Sequence, residues 1–261
     1  MIRRSLFAVV SALVLLFGVA AAPAHAGGVK PTVVLVHGAF ADASSWNPVI
    51  QRLQFAGFPV LAPANPLRDL TGDSAYVSSV LDTIAGPVIL VGHSYGGAVI
   101  TNAARGHDNV KALVYLAAFA PDESESAFQL TGQFPGSKLP ESIIPRPYPG
   151  GVDGYVDPAK FRDVFAADLP SSRTRLLAAT QRPASVAGLQ GPSGAPAWKN
   201  IPSWFLIAGS DNTIPPAAQR FMAKRAASKT VEIRRSSHVV MLSHPDAATA
   251  SILAAHAGTR S

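Results

Sequence analysis

Residues 88–99 read Val-Ile-Leu-Val-Gly-His-Ser-Tyr-Gly-Gly-Ala-Val. The apolar run that begins this stretch is rich in β-branched residues and predicts a buried strand, and the small and apolar residues that end it predict a helix. Between the two, Gly92 and Gly96 flank Ser94. A strand that turns directly into a helix strains the residue at the apex and leaves no room for neighbouring Cβ atoms, so glycines are expected on both sides. The strained turn directs the Ser94 hydroxyl outward, which makes Ser94 a candidate nucleophile.

Further strands and helices alternate on both sides of this turn. Apolar runs at 31–36, 59–63, 110–119, 203–208 and 230–234 predict strands, and helical patterns separate most of them. We expect 59–63 to be a short buried strand and Asp73 to cap the helix that follows it. This alternation is typical of βαβ units, so the predicted fold class is α/β, with a mostly parallel central sheet flanked by helices. Residues 27–120 and 201–261 form this predicted core.

The segment between the two parts of the core, residues 121–200, is rich in proline and glycine. A structureless loop of this length is uncommon in a compact domain, so we expect a partly helical cap over the sheet, with helices at 158–167 and 171–180. The aromatic residues of this segment are candidates for lining the substrate pocket, although packing within the cap is the expected role of each: Phe128, Phe134, Tyr148, Tyr155, Phe161 and Phe165.

The first 26 residues have the pattern of a secretory signal peptide. Arg3 and Arg4 precede an uncharged apolar run, which is followed by Ala24-His25-Ala26, a small-x-small cleavage pattern. A membrane anchor is the alternative, but glycine and proline interrupt the run and a processing site follows it. We therefore expect cleavage near Ala26, export to the periplasm or the outside of the cell, and no stable membrane anchor in the mature protein. The arginine pair leaves both Sec and twin-arginine export open.

Composition excludes several classes of site. The chain has no cysteine, so disulfides and thiolate metal sites are not available. Its formal net charge of +6 falls to +4 without Arg3 and Arg4, and the remaining basic residues are scattered and do not alternate with aromatic residues. Nucleic acid is therefore not an expected partner, and the sequence does not determine the oligomeric state.

A serine hydroxyl is a weak nucleophile at neutral pH and needs a base that takes its proton and an acidic residue that orients the base. Both must lie at the carboxyl edge of the sheet, where the loops after later strands arrive. Asp211 follows the predicted strand at 203–208, and His238 follows the one at 230–234. The chain order Ser94, Asp211, His238 is the order found in α/β hydrolases. His244 is the rival base, but it precedes Pro245 at a predicted helix start, where a cap or a solvated residue is expected.

Acyl transfer also needs backbone donors for an oxyanion. The amide of Tyr95, at the start of the predicted helix, is the first candidate. The loop after the first strand, His37-Gly38-Ala39-Phe40, is placed to supply the second. Ala39 is the preferred donor, and Phe40 is the other candidate, with a wall of the acyl pocket as its alternative role. His37 and His93 lie beside this edge and are expected to hold the loops in place.

Four motifs together resemble those of the α/β-hydrolase superfamily, in the branch of small esterases that includes plant methylesterases and hydroxynitrile lyases. They are His37-Gly38-Ala39-Phe40, Gly92-His93-Ser94-Tyr95-Gly96-Gly97, Gly209-Ser210-Asp211 and Ser237-His238, and they span nearly the whole chain after residue 26. The resemblance implies a cap that shapes the pocket, and neither a metal nor an organic cofactor. The lyases carry a lysine directly after the catalytic histidine, where this chain has Val239, which counts against cyanohydrin cleavage.

The predicted function is hydrolysis of a small-molecule carboxylic ester through an acyl-enzyme intermediate, with Ser94, Asp211 and His238 as the catalytic triad. Two alternatives stay open at this point. A cofactor-free haloperoxidase or perhydrolase would use the same triad with peroxide in place of water. A non-catalytic ligand-binding protein would use the fold alone.

Overall fold

The structure, a computed structural model, describes residues 29–259. The predicted signal peptide at 1–26 lies outside these residues and stays a prediction. The strands in the described range are β1 (Thr32–Val36), β2 (Val60–Leu61), β3 (Val88–His93), β4 (Val110–Leu116), β5 (Ile143–Tyr148), β6 (Gly151–Val156), β7 (Ala184–Ser185), β8 (Ser203–Ala208) and β9 (Lys229–Ile233). The α-helices in that range are α1 (Asn47–Phe55), α2 (Leu70–Asp82), α3 (Tyr95–Ala103), α4 (Ala127–Gly132), α5 (Phe161–Phe165), α6 (Ser171–Thr180), α7 (Val186–Gln190), α8 (Pro216–Arg225), α9 (Val240–Ser243) and α10 (Pro245–Gly258). None of these helices is both long and apolar enough to cross a bilayer.

Within residues 29–259, six parallel strands form the central sheet in the order β2-β1-β3-β4-β8-β9. This arrangement confirms the predicted α/β fold. β3 and β8 are buried along their whole length, as expected for strands that helices cover on both faces. The prediction that 59–63 is a buried strand is wrong: Val60–Leu61 pairs at the edge of the sheet, and Leu61 is 40% exposed. An edge strand pairs with one neighbour only and therefore leaves part of its surface uncovered.

The strand order reverses at β1, because the chain moves from β1 outward to β2 and then back across to β3. Parallel crossovers are right-handed, so this reversal puts α1 on one face of the sheet and α2 and α3 on the other. α10 packs against α1, and α3 packs against α2. Open α/β sheets bind their ligands in the crevice at such a reversal, at the carboxyl ends of the strands. Here the 37–40 loop follows β1 and Ser94 follows β3.

Helix α2 is capped by Asp69 and not by Asp73, contrary to the prediction. The Asp69 carboxylate accepts a hydrogen bond from Gly72 N at 2.7 Å, which satisfies one of the free amides of the first turn. Asp73 lies within that turn, and its side chain is fully buried. Both aspartates fit the local pattern of a cap, and the tertiary contacts of Asp73 decide between them.

The 121–200 segment contains more regular structure than the two predicted helices. α5 and α6 correspond to those helices, whereas α4, α7 and the antiparallel sheet β5-β6-β7 correct the prediction. The proline-rich stretch at 145–151 is itself a hairpin. Pro145 and Pro147 lie on the edge strand β5, where a missing N–H is tolerated, and Gly150 turns the chain with a φ of +98°.

Candidate active site

The turn between β3 and α3 holds Ser94 in a strained conformation. Its φ and ψ are +54° and −126°, and residues other than glycine rarely adopt a positive φ. A Cβ on Gly92 would lie 2.6 Å from the carbonyl oxygen of Gly96, so the turn closes only with glycine at this position. The Ser94 side chain is nearly buried and lines a cavity between the sheet and the 121–200 segment.

The loops after β8 and β9 bring Asp211 and His238 together. Asp211 Oδ2 lies 2.7 Å from His238 Nδ1, and both side chains are fully buried. The other carboxylate oxygen, Oδ1, accepts hydrogen bonds from the Thr213 and Ile214 amides at 2.7 and 3.0 Å. The carboxylate is therefore held on both oxygens, and it orients the imidazole with Nδ1 as the donor and Nε2 as the acceptor.

His93 joins the turn at Ser94 to His238. His93 Nε2 donates a hydrogen bond to His238 O at 3.0 Å, and the two ring centroids are 4.7 Å apart. Burial, reinforced by the nearby His238, holds the pKa of His93 well below its usual value, so His93 is a neutral scaffold residue. Within residues 29–259, His238 Nε2 is buried and has no hydrogen-bond partner. It does not form a hydrogen bond with Ser94 Oγ. Hydrogen bonds of a catalytic triad are often long before substrate binds and shorten in the complex.

His37 fixes the loop that follows β1. Its Nδ1 donates to Gly38 O, and its Nε2 accepts a hydrogen bond from Asn65 N, both at 3.0 Å. Asn65 Nδ2 in turn donates to His37 O at 3.0 Å. Burial lowers the pKa of His37, which keeps the ring neutral and able to accept. His37 therefore has the scaffold role that the sequence predicts.

The two candidate oxyanion donors come from loops that meet at Ser94. A Cβ on Gly38 would lie 2.6 Å from Ser94 Cβ, so the loop after β1 approaches the serine as closely as glycine allows. The amides of Ala39 and Tyr95 follow in these loops, and neither donates a hydrogen bond to any residue that the structure describes. Both amides are available to a developing oxyanion.

Phe40 does not supply the second donor. Its amide donates to Arg182 O at 2.9 Å and is therefore already occupied. Its ring lines the cavity and lies edge-on to Phe165, with the ring centroids 6.1 Å apart. This corrects the candidacy of Phe40 as a donor and supports its alternative role as a wall of the pocket.

The cavity beside Ser94 has a volume of about 280 Å³ and no charged side chain in its lining. Core loops form one side of the cavity, with Ala39, Phe40, Ser94, Tyr95, Phe119 and Thr213. The cap segment, residues 121–200, forms the other side, with Ala127, Phe128, Thr131, Gly132, Leu139, Pro140, Ile143, Val186, Leu189 and Gln190. Two larger clefts, of about 480 and 740 Å³, lie beside Arg105 and do not include Ser94. The smaller cavity is therefore the candidate substrate site.

One of the six cap aromatic residues lines this cavity. Phe128 does so and is 58% exposed, which places it at the rim. Phe161 and Tyr155 contact Phe165 and Arg146 of the same segment, as expected. Phe165, Phe134 and Tyr148 instead contact residues of the core, namely His238, Phe221 and Arg68.

Residues 33–252 match the model of the alpha/beta hydrolase family. The chain belongs to this family. This α/β hydrolase is 31% identical over 218 residues to the pyrethroid hydrolase of Sphingobium wenxiniae, which covers 74% of this chain and 75% of that protein. It is 22% identical over 244 residues to methylesterase 8 of Arabidopsis thaliana, which covers 86% and 89% of the two chains. The crystal structure of polyneuridine aldehyde esterase has the same fold, with a TM-score of 0.75 at 20% identity over 86% of this chain and 98% of that one. The predicted resemblance to the branch with plant methylesterases is thus confirmed.

His244 pairs with the cap segment of this α/β hydrolase and not with Asp211. Its Nε2 lies 3.6 Å from Asp168 Oδ2, and its side chain is 36% exposed. Asp168 also accepts hydrogen bonds from the Ser237 amide at 3.0 Å and from the Ser237 hydroxyl. Asp168 therefore ties the cap to the loop that carries the candidate base. No three histidine, aspartate or glutamate side chains converge into a metal site within 29–259.

Gln219 is a residue of this site that the sequence analysis missed. Its fully buried side chain donates from Nε2 to Asp211 Oδ2 at 2.8 Å, the same oxygen that contacts His238. Two further hydrogen bonds join it to backbone groups. The sequence offers one sign of this role: Gln219 is a polar residue on the helix face that also carries Met222 and Ala223, and that face is buried.

Replacing Gln219 by leucine will lower kcat for ester hydrolysis by about tenfold to hundredfold with little change in KM. A hydrogen bond to a charged group contributes about 1.5–3 kcal/mol, and the Asp211 carboxylate loses one of the partners that orient it. Steady-state kinetics on p-nitrophenyl butyrate measure the effect. The matched control is Gln181→Leu, since Gln181 also makes three hydrogen bonds, all to backbone groups of the cap. We expect the control to lose stability and to keep its kcat. An unchanged kcat in Gln219→Leu contradicts the prediction.

Proposed function

We propose that this α/β hydrolase cleaves carboxylic esters of small molecules, with Ser94 as the nucleophile, His238 as the general base and acid, and Asp211 as the residue that orients His238. The observation that carries the proposal is the buried Asp211–His238 pair at 2.7 Å, which His93 joins to the turn where Ser94 is held at a φ of +54°. A serine, a histidine and an aspartate in these relations are what acyl transfer requires. The similarity to a pyrethroid hydrolase and to a methylesterase supports ester chemistry.

The reaction begins when Ser94 Oγ attacks the ester carbonyl carbon and His238 Nε2 takes the hydroxyl proton. Negative charge moves onto the carbonyl oxygen, and the Ala39 and Tyr95 amides donate hydrogen bonds to it. The C–O bond to the alcohol then breaks, and His238 gives its proton to the departing alkoxide. Water attacks the acyl-enzyme with His238 again as the base, and the carboxylic acid leaves as Ser94 regains its proton.

The cavity favours uncharged esters with an apolar group. None of its lining side chains is charged, so a charged group of a substrate would lose its hydration without gaining a partner. Phe128 at the rim offers an aromatic surface to the part of the substrate that projects outward. We therefore expect neutral alkyl and aryl esters of small to medium size as substrates.

An alkyl fluorophosphonate will label Ser94 in the folded protein and abolish its esterase activity. Displacement of fluoride needs the base and the oxyanion donors as well as the serine, so labelling reports the whole site. Intact mass spectrometry should show one phosphonyl group per chain, and peptide mapping should locate it at Ser94. Heat-unfolded protein is the control and should stay unlabelled. Folded protein that stays unlabelled contradicts the proposal and favours a binding protein on a hydrolase fold.

A further inference from the structure

Two aspartates are fully or almost fully buried among the residues that the structure describes, Asp211 and Asp73. The mechanism above uses Asp211 and leaves Asp73 without a role. A buried carboxylate loses its hydration, which is unfavourable unless hydrogen bonds or charges compensate. The contacts of Asp73 therefore identify what this carboxylate holds in place.

Asp73 binds Tyr95 and the loop before α2. Its Oδ2 accepts a hydrogen bond from the Tyr95 hydroxyl at 2.9 Å, and its Oδ1 accepts one from Arg68 N at 3.1 Å. Burial raises the pKa of Asp73. Burial, together with the Asp73 charge, raises the pKa of Tyr95. The tyrosine hydroxyl thus stays protonated and is the donor of this bond.

Tyr95 contributes to the site with both its backbone and its ring. Its amide follows Ser94 at the start of α3, and its ring lines the cavity. Helix α7 passes close to the hydroxyl, since a Cβ on Gly188 would lie 3.3 Å from it. The bond from the hydroxyl to Asp73 and the turn at the backbone are two separate restraints on Tyr95. Loss of the hydroxyl bond removes one of them, so the amide beside the nucleophile is then held less firmly.

The cap segment supports Asp73 through Arg68. Arg68 Nη1 binds Asp153 Oδ1 at 2.9 Å, and Nη2 donates to Pro183 O at 3.2 Å. The guanidinium also lies over the Tyr148 ring, 5.5 Å from its centroid. These contacts hold the loop that presents the Arg68 amide to the carboxylate.

We propose that Asp73 is a positioning residue for the oxyanion hole: it holds the Tyr95 hydroxyl so that the Tyr95 amide faces the oxyanion. This inference rests on the proposed function. It gives the two buried aspartates parallel roles, with Asp211 orienting the base and Asp73 orienting an oxyanion donor.

The decisive variant is Tyr95→Phe, which removes the hydroxyl and keeps the ring. It will lower kcat/KM on p-nitrophenyl butyrate by about tenfold to hundredfold, because loss of a whole oxyanion donor lowers kcat by about 10²–10³-fold and a displaced donor loses part of that. A trifluoromethyl ketone provides the specific readout, since its adduct with Ser94 carries an oxyanion. The matched secondary alcohol fills the cavity without reacting. Affinity for the ketone should fall in proportion to kcat/KM, and affinity for the alcohol should change by less than about twofold.

Three further variants control this result. Tyr115→Phe is the matched control, because Tyr115 is fully buried, bonds Thr101 through its hydroxyl at 2.9 Å and does not line the cavity. It should keep wild-type kinetics. Asp73→Leu should reproduce the loss seen in Tyr95→Phe. Asp73→Asn should recover most of the activity, since its carboxamide can accept from Arg68 N and donate to the tyrosine oxygen.

Thermal unfolding separates positioning from a structural role. The pKa of Asp73 is higher in the folded than in the unfolded protein, so its contribution to stability falls as the pH rises through that interval. Unfolding curves at pH 7 show whether each variant is folded, so that a kinetic loss is not a loss of folded protein. A Tyr95→Phe variant that keeps more than half of the wild-type kcat/KM, or that loses affinity equally for the ketone and the alcohol, overturns the proposal. If the wild-type protein is not labelled by the fluorophosphonate, the proposed function itself fails, whatever the variants do.

Discussion

Ser94→Ala will lower kcat/KM on a short-chain p-nitrophenyl ester by on the order of 10⁴- to 10⁶-fold. Alanine removes the attacking oxygen, so no acyl-enzyme forms and the base has no hydroxyl proton to accept. The rate that remains comes from the oxyanion donors and from substrate binding alone. Progress curves at high enzyme concentration, compared with the uncatalysed rate, measure this residual activity.

Ser124→Ala is the matched control for that variant. Ser124 also has a positive φ, +69°, but it lies exposed in the 121–200 segment, so the same change is made on a similarly strained backbone away from the cavity. It should keep the wild-type rate. Both variants should unfold at the wild-type temperature, since Ser94 Oγ donates no hydrogen bond to a residue in the described range. Activity in Ser94→Ala above about a hundredth of wild type contradicts the assignment of the nucleophile.

The parts of the site that can be predicted from the sequence are those set by local pattern and topology. Ser94 lies in a strand, turn and helix in which contacts within the turn require Gly92, and the nearby carbonyls of Val36 and His37 require Gly96. Asp211 and His238 each follow a strand that an apolar run predicts, and the carboxyl ends of parallel strands share one edge of the sheet. Their meeting at 2.7 Å therefore follows from the fold class.

The supporting residues could not be predicted in the same way, because long-range contacts define their roles. Asp73 has the local pattern of a helix cap, but its burial and its bond to Tyr95, 22 residues away, distinguish it from Asp69. Gln219 shows up in the sequence merely as a polar residue on a buried helix face. The hairpin of the cap was missed because a proline-rich stretch favours a loop, and prolines fit a strand only at a sheet edge.

Asp211→Asn will lower kcat/KM by on the order of 10⁴-fold while the protein stays folded. The backbone amides of Thr213 and Ile214 both donate to Oδ1, so the asparagine carbonyl oxygen will take that position. Its NH₂ group then faces His238 Nδ1, and a donor meets a donor. The imidazole will therefore adopt the tautomer with its proton on Nε2, so that Nδ1 accepts from the asparagine. In this tautomer Nε2 cannot accept the proton of Ser94.

Gln219 makes this conflict difficult to relieve. Its Nε2 also points at Oδ2 of Asp211, so the asparagine NH₂ group would face two donors. Rotation of the Gln219 carboxamide would remove one of them, but Ala208 N and Ile214 O would then lose their present partners. Asp69→Asn is the control, since Asp69 is exposed outside the cavity and an asparagine side chain can still accept the hydrogen bond from Gly72 N, so we expect the wild-type rate. Steady-state kinetics and the rate of fluorophosphonate labelling should fall together in Asp211→Asn, because both need the same tautomer. If labelling slows while turnover is retained, the orienting role of Asp211 is wrong.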